Sequence, residues 1–518
     1  MLTKINTGTW LPAWVPQTSG ILAFILLFCA MVESATNGFD GSLLNGLNIL
    51  PVYKDYFNLT PATTGLNTAS VYIGKILGLW ASGLLCDRLG RRPVIFWSSL
   101  GSIIGVIIMA AAQNIGMFVA GRAILGLFSS WASVAGAVYL SETFAARWRS
   151  WGVGILNNFY YVGALIAAGV TLGTSKWQST WAWRAPCLFQ GIFAIICIVL
   201  LPFIPESPRW LAAQGLHDDA HQVLASVNAD GDMNSQIVLV QFKEIVDTLA
   251  YEKSHSTMSP LEMFKSKVSR RRLFIGTSPG WMSCIVGNII ASYYLGDELK
   301  TAGITNREDQ LKANVVLNVW CLVTCLTGTQ LAVSWGRKPT ALLCQFSLTT
   351  FLFIIGGLSK MYASNPQGAS QALVYGDVAC IFLFQGAYSI AWTPLMTLYP
   401  PEILNYSIRA NGYTLKQYCN ALPALVLIYL MPIGLANIGW KMYFVNASWD
   451  VLIFIVIIFT WVETKGKTLE EIDEIFEGSK HSDAPNLAKV VAGQARMDHD
   501  AMTKTAMGDA YLGKAHEA

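Results

Sequence analysis

ILAFILLFCAMVESATNGFDGSLLNG, residues 21–46, is long and apolar enough to cross a bilayer, and its second half carries Glu33 and Asp40. A carboxylate near the bilayer centre costs about 2.5–3.5 kcal/mol even on lenient insertion scales, so it is rarely present without a purpose. The stretch predicts a membrane protein that moves a solute, with a buried acid available to take up a proton.

The rest of the chain repeats this apolar pattern. The 518 residues are 53% hydrophobic and only 13% charged, against roughly 25% charged in soluble domains. Runs near the ~20 residues that span a bilayer recur. The twelve predicted spans are 20–46, 66–86, 93–113, 116–140, 151–173, 183–204, 273–296, 312–334, 339–360, 371–398, 409–434 and 439–461.

Basic residues concentrate in alternate loops. They occur in loops 2–3, 4–5 and 8–9, and the long loop 205–272 has eight Lys or Arg; only loop 7–8 weakens the contrast. The positive-inside rule then places both termini and the long loop in the cytoplasm. The first run exceeds the 7–15 residues of a signal-peptide core and is expected to remain as a span.

Two motifs occur once in each half of the chain. Y-x-x-E-x6-R-x-x-G begins at Tyr139 and returns 260 residues later at Tyr399, and GRRP at 90–93 returns as GRKP at 336–339. We expect these repeated charges to latch one state of two rocking six-helix halves. The alternative is that they only anchor helix ends at the headgroups. The predicted gating residues are Asp87, Arg91, Arg92, Glu142, Arg149, Arg337, Glu402 and Arg409.

The expected fold is therefore an all-α membrane protein with twelve transmembrane helices in two pseudo-symmetric bundles. The predicted divisions are an N-terminus (1–19), an N-terminal bundle (20–204), a helical cytoplasmic linker (205–272), a C-terminal bundle (273–461) and a short amphipathic helix with a disordered tail (462–518). The six histidines lie outside the spans and the cysteines form no CxxC pair. We expect no metal, no cofactor, no nucleic acid and no enzyme activity, and a monomer in the lipid bilayer.

Several motifs together resemble the sugar porter family of the major facilitator superfamily. They are DRLGRRP (87–93), GRAILG (121–126), PESPRWL (205–211), WGRKPT (335–340) and VETKGKTLEEI (462–472). GFDGSLLNGL, SIAWTPLMTLYPPEIL and the seventh span look most like the fungal lactose permease branch. The resemblance covers residues 20–476 and implies sugar uptake with protons across the plasma membrane.

The resemblance also assigns roles to residues. Asp40 stands where proton-coupled sugar porters have their titrating acid, and Arg122 stands where they have its basic partner. Desolvation favours a neutral carboxyl group, whereas a nearby Arg favours the charged form. A changing distance between the two would couple proton affinity to helix motion. The alternatives are a static ion pair that braces spans 1 and 4 and, for Arg122, a helix-end role.

The resemblance implies substrate contacts at amide and aromatic side chains. Asn157 and Asn420 match family positions, and Asn288 lies near a third. Other polar or aromatic residues would complete the ring; these are Asn45, Tyr293, Tyr294 and Trp392. Interhelical hydrogen bonding is the ordinary alternative for such amides. Cys284 replaces a glutamine that is usual in the branch, and Thr397 replaces a usual tryptophan, so the substrate is open.

Two further predictions concern charge and modification. Glu33 and Lys75 are both costly inside a membrane, and we expect them to be ion partners. The alternative is that Lys75 snorkels or faces a wet cavity by itself. Asn58-Leu59-Thr60 is a glycosylation sequon in a predicted outside loop.

Three functions remain at this point. The first is proton-coupled uptake of a mono- or disaccharide by alternating access, with Asp40 and Arg122 as the coupling pair. The second is transport of a non-sugar metabolite, including efflux. The third is a transporter-like nutrient sensor.

Overall fold

The computed structural model describes residues 2–144, 149–255, 262–365, 370–404, 408–465, 472, 475 and 476. At some positions within these ranges, Arg149 and Arg409 among them, only the backbone is described. The expected amphipathic helix and tail after Val462 lie largely outside the described residues. The N-terminal half contains helices α1 (Ser19–Ile49), α2 (Pro51–Phe57), α3 (Pro61–Leu89), α4 (Arg91–Ala110), α5 (Ile115–Thr143), α6 (Arg149–Leu156), α7 (Phe159–Thr174) and α8 (Trp181–Leu200).

A helical linker joins the two halves. It contains α9 (Pro208–Ala213), α10 (His217–Asn228) and α11 (Gln236–His255). The C-terminal half contains α12 (Lys267–Ile285), α13 (Asn288–Tyr293), α14 (Leu295–Thr301), α15 (Arg307–Ser334), α16 (Arg337–Ser364), α17 (Gln371–Ile403), α18 (Arg409–Ile438) and α19 (Lys441–Thr460).

The predicted twelve-span architecture is confirmed, with two interrupted spans. The predicted span 151–173 is divided between α6 and α7 by a turn at Asn157 and Asn158. Within the described residues, eleven helices are long and apolar enough to cross a membrane. The other predicted span, 273–296, is divided between α12 and α13. Gly287 separates them with φ +90°, a left-handed conformation that favours glycine over other residues.

The helices alternate in direction, so one end of the bundle carries the start of α1 and the end of α19. We call this the terminal end, and the other the opposite end. The halves meet where α3 packs along α18 and α7 packs along α15. Within the N-terminal half, α1 and α7 pack closely because Gly38 of α1 faces the α7 backbone and Gly163 of α7 faces the α1 backbone. A Cβ on Gly38 would lie 1.8 Å from the Tyr160 carbonyl oxygen.

A small hairpin precedes α1 and was not predicted from the sequence. Strands β1 (Leu2–Ile5) and β2 (Ala13–Pro16) pair antiparallel, with Leu2 opposite Pro16. The Arg92 guanidinium holds the adjoining segment by donating to the carbonyl oxygens of Leu11 (3.3 Å) and Pro12 (2.8 Å). The hairpin and the linker therefore pack on the terminal end of the N-terminal half.

Candidate functional site

A cavity of about 220 Å³ lies between the two halves. Helices α1, α3, α5 and α7 form one wall, and α12, α13, α17 and α18 form the other. It runs from Asp40 and Tyr293 in the middle of the bundle towards Tyr413 and Lys416 near the terminal end. Because both halves contribute to this site, rocking of one half against the other would expose a bound ligand first to one side of the membrane and then to the other.

Asp40 and Arg122 form a buried ion pair at the cavity wall. Arg122 Nη1 donates to Asp40 Oδ1 at 2.9 Å and Nη2 donates to Oδ2 at 3.1 Å, a two-point contact between α5 and α1. Arg122 is 0% exposed and Asp40 is 5% exposed, and only Asp40 lines the cavity. The Arg122 Nε–H also donates to the Asn67 carbonyl oxygen at 2.9 Å, which ties the guanidinium to α3.

Gln190 completes this cluster and was missed by reasoning from the sequence. Its Nε2 donates to Asp40 Oδ1 at 3.3 Å from α8, and the side chain is 1% exposed. The available signal was one amide in the apolar run CLFQGIFAIICIVL. Nothing in that run indicates which neighbour the amide faces. Three donors from two helices thus converge on a single carboxylate, and such charge-assisted bonds are stronger than neutral ones.

Glu33 and Lys75 both line the cavity, but the structure shows an intermediary and not the expected direct ion pair. Lys75 Nζ donates to Asn37 Oδ1 at 3.0 Å, and Asn37 Nδ2 donates to Glu33 Oε1 at 3.3 Å. Asn37 lies one helical turn after Glu33 on the same face of α1, so its amide reaches the ammonium first. The charges are therefore coupled through an amide.

Four of the predicted substrate residues line the cavity: Asn157, Asn288, Tyr293 and Asn420. Asn157 Nδ2 donates to the Thr393 carbonyl oxygen at 2.7 Å and so joins the halves. Asn420 Nδ2 is engaged by the Gly280 carbonyl oxygen at 3.1 Å. The Oδ1 of Asn288 is buried and has no hydrogen-bond partner among the described residues.

The structure places the other three predicted substrate residues away from this cavity. Trp392 is 0% exposed and donates its indole N–H to Gln345 Oε1 at 3.2 Å, inside the C-terminal half. Tyr294 donates its hydroxyl to the Ile428 carbonyl oxygen at 2.9 Å. Asn45 lines a smaller neighbouring cavity and contacts Asn314 across the halves at 3.3 Å. These three side chains are buried by packing between helices, and helical spacing in the sequence does not show which side chains are buried in this way.

The cavity is richer in tyrosine than expected. Tyr72, Tyr160, Tyr161, Tyr388 and Tyr413 line it in addition to Tyr293. Such rings offer apolar faces and hydroxyl groups together, as a polyhydroxylated ligand requires. Sequence pattern alone does not separate these tyrosines from the other tyrosines of the spans.

The opposite end of the cavity is closed by contacts between the halves. The Tyr72 and Tyr293 hydroxyl groups lie 3.0 Å apart, joining α3 to α13. The Leu295 N–H donates to Asn45 Oδ1 at 3.1 Å, and Asn48 Nδ2 donates to the Tyr293 carbonyl oxygen at 3.5 Å. We call these contacts the floor of the cavity. In this state the cavity is thus sealed from the opposite end.

The repeated charges form a cluster in the N-terminal half at its terminal end. Arg91 pairs with Glu142 at 3.0 Å, and the Ser207 hydroxyl donates to Glu142 at 2.5 Å. Asp87, whose side chain is 74% exposed, lies 3.7 Å from Arg91. Glu206 accepts the Arg91 and Arg92 backbone N–H groups at 3.0 and 3.2 Å, and burial raises the pKa of this carboxyl above its ordinary value.

The C-terminal half repeats the same arrangement. Arg337 donates to Glu402 at 2.6 and 3.0 Å, and the Thr464 hydroxyl donates to Glu402 at 2.6 Å. Glu463 accepts the backbone N–H groups of Arg337 and Lys338, each at 3.0 Å. Glu206 and Glu463 were missed, although Glu-Ser at 206–207 and Glu-Thr at 463–464 were visible as a repeat.

Each of these clusters joins elements of one half, and the described residues show no contact between the two clusters. Arg92 donates to the carbonyl oxygens of Pro12 and Leu201 and so anchors the segment beside the hairpin. Its gating role stays a prediction. The side chains of Arg149 and Arg409 lie outside the described residues. The clusters therefore stabilise each half as a unit at the terminal end.

Comparison with known proteins agrees with this architecture. The family model "Sugar (and other) transporter" matches residues 26–476. The chain belongs to this sugar porter family. It is therefore a multi-pass membrane transporter of the major facilitator superfamily and not an enzyme.

Three individual similarities illustrate the relationship. A high-affinity glucose transporter of Kluyveromyces lactis is 28% identical over 470 residues, covering 88% of this chain and 85% of that protein. The MFS glucose transporter mfs1 of Aspergillus flavus is 29% identical over 466 residues, covering 85% and 87%. The structure of the proton:xylose symporter XylE bound to 6-bromo-6-deoxy-D-glucose superposes with a TM-score of 0.75 at 21% identity, covering 89% of this chain and 100% of that one.

Proposed function

We propose that this transporter imports a sugar, a mono- or disaccharide, together with a proton across the plasma membrane by alternating access, as a monomer. Both termini are then cytoplasmic, and the state described here, with its floor closed, faces the cytoplasm. Glucose transporters among the relatives support a sugar, and the cavity lined by tyrosines and by Asn288 is suited to one.

The coupling pair gives the proposal its mechanism. In this state the Asp40 carboxyl group accepts hydrogen bonds from Arg122 and Gln190, which join α1 to α5 and α8. Protonation removes the charge that holds these donors, since an ion pair favours the charged form. Helix α1 also carries Asn45 and Asn48 of the floor, so loosening its hold at Asp40 would help the floor to open.

The proton gradient would then supply the free energy for accumulation. One proton that crosses ~100 mV releases about 2.3 kcal/mol, which is roughly fifty-fold accumulation. Coupling requires that the proton is bound in one state and released in the other. The two-point Asp40–Arg122 contact at the wall of a shared cavity is the observation that carries this proposal.

Uptake of labelled sugar in cells lacking their own transporters tests the proposal. Wild-type accumulation should collapse when a protonophore is added. Asp40→Asn should lose accumulation but keep sugar exchange at equal concentrations, because exchange needs no proton release. Asp377→Asn is the matched control, since Asp377 is an equally buried acid of α17 that bonds Ser359 outside the cavity. Accumulation by Asp40→Asn at the wild-type level would overturn the proposal.

A further inference from the structure

Lys416 is a buried cation in the cavity that the proposed coupling mechanism does not use. Its side chain lines the cavity and the residue is 2% exposed. Nζ donates weakly to Gln417 Oε1 at 3.4 Å and lies 5.4 Å from the centre of the Tyr413 ring. Among the described residues, no carboxylate lies within ion-pair distance of this ammonium.

The other charges of the cavity are already matched. Its described lining has four charged residues, namely Glu33, Asp40, Lys75 and Lys416. Asp40 is paired with Arg122, and Lys75 is linked to Glu33 through Asn37. Lys416 therefore adds a positive charge that the protein itself leaves uncompensated. A buried charge without a partner is costly and is seldom retained without function.

The position of Lys416 directs it at a ligand. It lies one helical turn before Asn420 on α18, so the two side chains share a face of the helix. Asn420 Nδ2 donates to the Gly280 carbonyl oxygen and to Cys284 Sγ, both on α12. The Lys416 stem packs against Gly280, where a Cβ would lie 3.3 Å from Lys416 Cγ. The Asn420 amide is thus already bonded within the protein, whereas the Lys416 ammonium can still donate hydrogen bonds to a molecule that enters the cavity.

We propose that the preferred substrate is a sugar acid, whose single carboxylate binds the Lys416 ammonium while its hydroxyl groups face the tyrosines and Asn288. A hexuronate and an aldonate carry the same carboxylate at different ends of the sugar. One uncompensated lysine matches one negative charge, which favours a monocarboxylate over a sugar phosphate. This inference rests on the proposed sugar transport and narrows its substrate class.

Competition against labelled hexose uptake tests the inference. In the wild-type protein, glucuronate or gluconate should inhibit uptake at concentrations about ten- to a hundredfold lower than unlabelled glucose, the range expected for one charge-assisted contact. Which acid inhibits better identifies the end of the sugar that meets Lys416. Glucose 6-phosphate should inhibit no better than glucose.

Substitution at Lys416 provides the decisive comparison. Lys416→Gln should lose the preference for the acid and still transport the hexose, whereas Lys416→Arg should retain the preference. Lys54→Gln is the matched control, because Lys54 lies at the opposite end outside the cavity lining. Equal inhibition by acid and hexose in the wild type, or an unchanged preference in Lys416→Gln, would overturn the inference.

The two proposals fail in different ways. If proton coupling is wrong, uptake of both hexose and acid persists when a protonophore is present, and the preference set by Lys416 is unaffected. If the sugar-acid inference is wrong, protonophore-sensitive hexose uptake remains, but the acids do not compete.

Discussion

Gln190 adds a third donor to the Asp40 carboxylate from a helix that does not line the cavity. Hydrogen bonds to charged groups are worth about 1.5–3 kcal/mol. Their loss penalises the state in which Asp40 is deprotonated, and net uptake must pass through that state. Exchange of sugar with the proton still bound does not.

We therefore expect Gln190→Leu to lower net uptake about tenfold while equilibrium exchange changes little. Parallel initial-rate measurements of uptake and exchange in the same cells would check this. Gln345→Leu is the matched control, because Gln345 is a buried glutamine of the C-terminal half that contacts Trp392. A similar loss in both assays for Gln190→Leu would mean that Gln190 is merely structural.

At the scale of single residues, the sites of buried charges could be predicted from the sequence better than the contacts of amide and aromatic side chains. Asp40 stands out because a carboxylate in an apolar stretch is costly, and its pairing with Arg122 was implied by the family resemblance. Trp392 and Tyr294 were misplaced because an aromatic side chain packs in a helix interface as readily as in a cavity. Lys416 was overlooked because it lies close enough to the predicted end of a span to look like a headgroup anchor.

The break between α12 and α13 sets the shape of the C-terminal cavity wall. Gly287 is left-handed, and a Cβ there would lie 2.7 Å from Asn446 Nδ2. The break places Asn288 at the cavity and Tyr293 at the floor. An element that ends and restarts in this way can move its second part without moving its first.

Gly287→Ala should therefore impair both folding and transport. The left-handed conformation costs a residue with a Cβ about 1–2 kcal/mol, so we expect a lower thermal midpoint and at least a fivefold loss of uptake. Scanning fluorimetry of purified protein and uptake assays measure the two effects. Gly169→Ala is the control, since nothing lies within 4 Å of its added Cβ. Equal behaviour of the two variants would show that the break does not need a glycine.

The helices themselves were largely predictable, and their interruptions were not. Apolar runs of sufficient length located the spans to within a few residues. The split of span 273–296 was missed because hydropathy averages over Gly287, although α12 begins with the basic stretch KVSRRR and contains Pro279. The N-terminal hairpin was missed because its stability comes from Arg92 and other distant contacts, which local pattern does not show.

Across the whole molecule, the floor decides which side the cavity faces. The Tyr72–Tyr293 hydroxyl contact joins the halves directly. A neutral hydrogen bond contributes about 0.5–1.5 kcal/mol, which corresponds to a two- to twelvefold change in the ratio of two states.

Tyr72→Phe should therefore favour opening at the opposite end. Spin labels at exposed Asp55 and Lys312, one in each half at that end, would then show a longer label-to-label distance by pulsed electron paramagnetic resonance. Tyr53→Phe is the control, because Tyr53 bonds Asn67 within the N-terminal half. Unchanged distances in Tyr72→Phe would mean that the tyrosine contact does not hold the floor closed.

The repeated motifs made it predictable that the two halves have equivalent structures, but the tilt of one half relative to the other was not predictable. Tyr139 and Tyr399 occupy equivalent places and bond the carbonyl oxygens of Pro205 and Val462. Such a repeat fixes the structure of each half. The state of the cavity depends instead on weak contacts across the halves, such as those of Asn45 and Asn157, which leave no repeated pattern.

The most direct test of proton coupling through Asp40 is proton movement itself. Purified protein in liposomes that contain a pH-sensitive dye should acidify the interior when labelled sugar is added outside. Asp40→Asn should exchange labelled sugar outside for unlabelled sugar inside the liposomes without this signal. The same acidification per sugar in Asp40→Asn as in the wild type would contradict the account.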